Sequence, residues 1–290
     1  MIKSKTQKLR QLKLKIAFKS VKLKGKITQA ISLNYATKQA IKLFKTPIKF
    51  KIPAREIPMY SNSIKEFVEI EELNKEIMVY RNGNADKKVI LIHGWSGRGT
   101  QLYKINNMLL DMGFSTISFD APAHGMSTGK NTMMNEFVIC VRKLTELYGP
   151  FEYGIGHSLG GMALLNSIKS GISIKKAVCI GSGNSIYQIM KDFVNQLDLK
   201  PIIAEKMKAH YDKQFGVDLE NFSSYNVAKS IEIPVFIIHD TNDKDVPVSC
   251  AYDIHSNLKN GKLLITNGLG HRKILGDSLV LDNIRNFIHA

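Results

Sequence analysis

From residue 89 to the end of the chain, short runs of nearly uncharged, β-branched residues alternate with helical segments. The runs fall at 89–93, 114–120, 153–156, 176–181, 235–239 and 262–266, and the helical patterns near 100–112, 131–148, 159–170, 248–258 and 277–289. A strand with almost no charge is buried on both faces, and a helix after each strand supplies the cover. This rhythm predicts an α/β fold with a mostly parallel central sheet and helices on both faces. Upstream, KEFVEIEE and KEIMVY alternate apolar and polar residues before an Asn82-Gly83-Asn84 turn, a β-rich entry to the sheet.

One connection breaks the rhythm. Residues 184–230 are too long for a simple crossover and contain helical patterns such as IYQIMKDFVNQL. A small helical cap inserted between two strands accounts for them, with Ile186, Ile189, Met190 and Phe193 available to roof a pocket. The 290 residues suffice for one large domain with such an insertion. No stretch approaches the ~20 apolar residues of a membrane-spanning helix.

The net charge of +16 invites a nucleic-acid reading until it is located. Residues 1–55 hold sixteen Lys and Arg and no acid, whereas all 25 acids lie from Glu56 onward and balance the remaining bases. The chain therefore divides into a basic N-terminal arm and helix, 1–55, and a neutral domain, 56–290, with its cap at about 184–230. A neutral domain argues against a nucleic-acid groove. Residues 1–26 interleave Lys with Leu, Ile, Phe and Val without a dominant period, which predicts a mobile arm. The alternative is an amphipathic segment on an anionic membrane surface. Residues 28–45 read as a helix with Ile31, Tyr35, Ile41 and Phe44 on one face, and Pro47, Pro53 and Pro58 punctuate an extended connection. Cys140, Cys179 and Cys250 form no CxxC pair or even-numbered framework. With no secretory signal, they imply reduced thiols and a cytoplasmic protein, peripheral to the inner membrane face if the arm binds lipid.

The chemistry gathers around GHSLGG, 156–161, which follows the strand FEYGIG and opens the helical run MALLNSI. A strand turning abruptly into a helix places Ser158 on a strained elbow with its hydroxyl exposed, and glycines at 156 and 160 permit close backbone approach. A serine hydroxyl needs an imidazole to take its proton. Of eight histidines, His93 and His157 fit backbone support, His124 lies in an early loop and His210 in the cap. His271 follows the last strand on a Gly-flanked loop, at the sheet edge where open α/β sheets carry their sites. The imidazole needs a carboxylate to orient it. PVFIIHDTNDKDVP offers Asp240, Asp243 and Asp245; loop position favours Asp243, then Asp245. The strand before it ends in Gly181-Ser182-Gly183-Asn184 without an acid. Two backbone N–H groups, on Leu159 and on Trp95 in HGWSGRG, are placed to receive an oxyanion, and the Trp95 side chain could wall an acyl pocket.

Across roughly 65–290 these residues resemble the α/β-hydrolase superfamily: HGW, FDAPAHGMS, GHSLGG, HDTNDKDVP and GLGHRKIL occur in the expected order. Within it the chain resembles a group of small bacterial hydrolases that share APAHG, GHSLGG and GHR-x-L. The resemblance implies an α/β-hydrolase fold, a Ser158–Asp243–His271 triad, and structural roles for Asp120 and His124. In FDAPAHG, Ala123 stands where the superfamily commonly has Gly, a change expected to be tolerable if the backbone there avoids positive φ. The implied activity is hydrolysis of a carboxylic ester or thioester, with a small-molecule acyl substrate, no cofactor and no metal. A rival expectation is a non-catalytic small-molecule or lipid-binding protein on the same scaffold.

Overall fold

The computed structural model describes residues 5–290, with side chains from Ile16 onward except residue 17. Its strands are β1 (Ile64–Ile70), β2 (Lys75–Asn82), β3 (Lys88–Ile92), β4 (Ser115–Phe119), β5 (Tyr153–His157), β6 (Lys176–Ile180), β7 (Val235–Asp240) and β8 (Gly261–Thr266). Its helices are α1 (Lys5–Ile31), α2 (Leu33–Phe44), α3 (Ile57–Asn62), α4 (Tyr103–Asp111), α5 (Met134–Tyr148), α6 (Leu159–Lys169), α7 (Ile186–Gln196), α8 (Ile202–Phe215), α9 (Ser224–Ala228), α10 (Ser249–Ser256), α11 (Gly270–Lys273) and α12 (Ser278–His289). The chain divides into two compact units, residues 1–45 with 186–219, and residues 46–185 with 220–290.

The larger unit holds one eight-stranded sheet in the order β1-β2-β4-β3-β5-β6-β7-β8. The β1–β2 and β2–β4 pairs are antiparallel and all others parallel. Alternation along β3 explains why both faces are dry. Ile90 and Ile92 point into a core with Phe137, Val141, Leu164 and Leu165, while Val89 and Leu91 point into another with Ile105, Leu109 and Ile284. After β3 the chain steps to β4 on one side, then returns to β5 on the other. That reversal is a topological switch point at the carboxyl ends of β3 and β5, the position where open α/β sheets bind ligands.

The smaller unit consists of α1, α2, α7 and α8. The expected boundary near residue 55 and cap at 184–230 differ from this grouping, because α9 packs with α6 and α10 in the sheet-bearing unit. The expected mobile arm is instead a long helix from Lys5; the first four residues lie outside the described ones. Lys, Leu, Gln and Ala favour helix, and Gly25 is accommodated because a Cβ there would lie 2.9 Å from Leu199 Cδ2. The expected helix at 28–45 breaks at Ser32, whose hydroxyl caps α2 by accepting the Tyr35 N–H at 3.2 Å. Ile31 and Tyr35 are consequently exposed, and α2 buries Ala36, Thr37, Ala40 and Ile41. Phe44 meets Phe193 edge-on at 5.2 Å, and Met190 is fully buried.

Candidate active site

Ser158 sits between β5 and α6 with φ 54° and ψ −121°, a conformation costly for any residue with a side chain. The surroundings enforce it. The Ser158 N–H donates to the Ile180 carbonyl at 2.8 Å, and the Gly161 N–H donates to the Ser158 carbonyl at 3.0 Å. A Cβ at Gly156 would lie 2.4 Å from the Gly160 oxygen, and one at Gly160 would lie 2.3 Å from the Ile92 oxygen. Gly94 is held to the same standard, since its Cβ would meet Ser158 Cβ at 2.9 Å. The loop after β3 thus runs directly against the serine.

His271 Nδ1 donates to Asp243 Oδ2 at 2.6 Å, and both side chains are largely buried. The pair lies against the end of β6, where the missing side chain of Gly181 leaves it room. A Cβ at Gly181 would be 3.3 Å from His271 Nδ1 and 3.5 Å from Asp243 Oδ2. His157, the residue before the serine, donates from Nε2 to the His271 carbonyl at 2.9 Å, and the two rings lie 4.6 Å apart. Serine elbow, imidazole and carboxylate therefore share one edge of the sheet.

Burial alone would raise the Asp243 carboxyl, but hydrogen bonds from His239, His271 and the Val246 N–H outweigh it and hold it well below the usual carboxylate range. Its Oδ1 also accepts the Asp245 and Val246 N–H groups at 2.8 and 2.9 Å. Asp243 is thus an anion whose lone pairs are aimed at the imidazole. Asp240, at the end of β7, serves the backbone instead. It accepts the N–H groups of Asn242, Leu269 and Gly270 at 2.9, 3.0 and 2.8 Å and the Thr266 hydroxyl at 2.7 Å. Burial acts to raise its carboxyl too, and these donors bring it below the usual range. Asp245, the runner-up, pairs at the surface with Arg272 at 3.4 Å.

In the loop after β3, the Gly97 N–H closes a turn onto the Gly94 carbonyl at 2.9 Å and the Ser96 N–H donates to His124 Nε2 at 2.9 Å. The intervening Trp95 N–H has no acceptor among the described residues. Leu159 opens α6, so no carbonyl one turn earlier in the helix receives its N–H. The Trp95 ring is partly exposed and stands edge-on to His124 at 5.4 Å.

The buried histidines outside the His271–Asp243 pair hold backbone. His124 receives the Ser96 N–H on Nε2, so Nδ1 carries the proton and donates to the Pro122 carbonyl at 3.0 Å. His93 receives the Ala121 N–H on Nε2 at 2.9 Å and donates from Nδ1 to the Gly94 carbonyl at 2.7 Å. Burial, first of all, lowers His93 to about 4, His157 to about 3 and His124 to about 2. Asp120 accepts the Gly99 and Met126 N–H groups, both at 2.7 Å, and the Tyr80 hydroxyl at 3.0 Å. Ala123 departs from expectation: its φ is 64°, so the backbone there does adopt the glycine-favouring region and the alanine bears the strain. Sequence reasoning also missed His239. It is fully buried, with Nε2 3.0 Å from the Val246 carbonyl and 3.5 Å from Asp243 Oδ2.

The sequence matches no protein-family model and no curated protein. Solved structures do resemble it. An esterase from Exiguobacterium antarcticum is 15% identical at a TM-score of 0.62, covering 78% of this chain and 100% of its own. The bromoperoxidase of Bacillus anthracis is 18% identical at 0.60, covering 78% and 99%. Mouse α/β-hydrolase domain-containing protein 10 is 14% identical at 0.61, covering 78% and 98%. The chain has the α/β-hydrolase fold.

Proposed function

We propose that this chain is a serine hydrolase that cleaves a carboxylic ester or thioester, with Ser158 as nucleophile, His271 as base and then acid, and Asp243 as its orienting carboxylate. The observation that carries the reading is the 2.6 Å His271–Asp243 bond beside the Ser158 elbow. An anionic carboxylate on Nδ1 fixes that nitrogen as the protonated one and leaves Nε2 to accept a proton.

In the first half-reaction Ser158 Oγ bonds to the acyl carbon as its proton passes to His271 Nε2. The carbonyl oxygen becomes an anion facing the N–H groups of Trp95 and Leu159, each worth about 3–4 kcal/mol to such a state. Collapse expels the alkoxide or thiolate, which takes the proton from His271 and leaves an acyl-enzyme. Water then attacks the acyl carbon, giving its proton to His271, and the bond to Ser158 Oγ breaks as His271 returns that proton to the serine, releasing the acid. The esterase among the structural neighbours supports this class of substrate.

A fluorophosphonate probe tests the reading directly. The intact protein should carry one adduct on Ser158 by mass spectrometry, and a Ser158→Ala variant should carry none and lose turnover by a factor on the order of 10⁴–10⁶. A folded protein that takes no label and turns over no acyl substrate would return the chain to the class of binding scaffolds.

A further inference from the structure

The first helix has two faces of different character. One is engaged within its own unit: Thr28 is buried and Gly25 lies against Leu199. Lys22 and Lys26 reach Asp198 at 3.1 and 3.4 Å, and Gln29 accepts the Lys200 N–H at 2.7 Å. On the opposite side Ile16, Leu23, Ile27 and Ile31 follow one another at seven, four and four residues, which places them in one stripe. They are 55%, 61%, 53% and 80% exposed. A helix packed along one side ordinarily turns polar residues outward, so four aliphatic side chains there call for a cover. The helical period sets the exposed Lys19 and Lys24 along the two margins of the stripe, and no Asp or Glu precedes Glu56.

We propose that this face of α1 lies on an anionic lipid surface, its aliphatic stripe among the acyl chains and Lys19 and Lys24 at the headgroup phosphates. The chemistry of the face selects that occupant. A second copy of the chain would bring two acid-free, lysine-edged faces together, like charge against like. A nucleic acid would engage the lysines and leave the aliphatic stripe in water. A lipid surface uses both at once. Among the described residues no helix is long and apolar enough to cross a membrane, so α1 lies in the interface plane.

Flotation of the full chain with vesicles separates these outcomes. The protein should float with phosphatidylcholine vesicles containing phosphatidylglycerol and stay behind with pure phosphatidylcholine. A Leu23→Gln/Ile27→Gln variant keeps helix-favouring residues at exposed positions, and its circular dichroism should match the parent's. Its partition should fall roughly tenfold or more. Lys19→Gln/Lys24→Gln should also weaken binding, at about fivefold per lysine. Equal flotation of parent and Leu23→Gln/Ile27→Gln variant, or no flotation of the parent, overturns the proposal. So does a parent dimer that the same variant converts to monomer, since the stripe would then belong to a second copy.

Discussion

Asp240, Asp243 and Asp245 are chemically identical and lie within six residues, yet their neighbours give each a different role. Asp243 spends Oδ2 on an imidazole, Asp240 spends both oxygens on main-chain donors, and Asp245 meets a solvated guanidinium. Asp243→Asn should therefore cut kcat by about 10³–10⁴ through loss of the correct tautomer, while Asp245→Ala should stay within about twofold, because a surface ion pair contributes little. Steady-state kinetics on a soluble ester compare the two, and equal losses would overturn the assignment. Asp240→Ala should cost roughly 2–4 kcal/mol in urea unfolding, because it orphans donors of the loop that carries His271. At this scale the sequence was legible where chemistry is local. Ser158 declares itself by strand, turn and helix, and His271 by its loop. Asp240 was opaque because its partners lie some thirty residues downstream. His239 was opaque because β7 is buried throughout and carries no alternation.

The loop after β3 runs directly against the serine, and its own position depends on a segment far upstream. Glu56, buried just before α3, accepts from Arg98 Nη1 at 2.7 Å and from Thr100 Oγ1 at 2.8 Å. Both charged residues are almost fully buried. Removing one partner strands the other in a dry site, so Glu56→Ala should destabilise the protein by about 3–5 kcal/mol, and Glu56→Leu with Arg98→Met should recover much of the loss. Urea unfolding of the three proteins decides it; a Glu56→Ala protein as stable as its parent would show the pair to be idle. The parallel strands were readable because each is short, uncharged and followed by a helix. The first helix was not, because lysines interleaved with its aliphatic residues blur the period that an amphipathic helix displays. The end of α1 turned on one hydroxyl, Ser32, within a stretch that otherwise reads as continuous helix.

For the molecule as a whole, three buried imidazoles set the response to acid. The unfolded chain takes up protons near the ordinary histidine value of 6.5, whereas folded His93, His157 and His124 resist until about 4, 3 and 2. A depressed folded value means stability that is present above pH 6.5 and lost as pH falls toward those values. Asp120, whose carboxyl burial pushes up, acts in the opposite direction. The three imidazoles together withdraw on the order of 4–5 kcal/mol between pH 6.5 and 5, Asp120 offsets part of it, and unfolding free energy should fall over that range. Urea titrations followed by circular dichroism should show this; a flat profile over that range would contradict the buried, neutral assignment.

The two-part composition of the smaller unit sets an order of events on the ribosome. Its first helices emerge early, but residues 186–219, which complete the unit, follow only after residues 46–185 have been made. At about 5–20 residues per second that delay is on the order of ten seconds. Throughout it, α1 lacks Asp198, Leu199 and Lys200, which meet it in the finished unit, and neighbouring nascent chains display the same aliphatic stripe. Sixteen cations and no anion over the first 55 residues set like charge against like between such chains until residues 186–219 arrive.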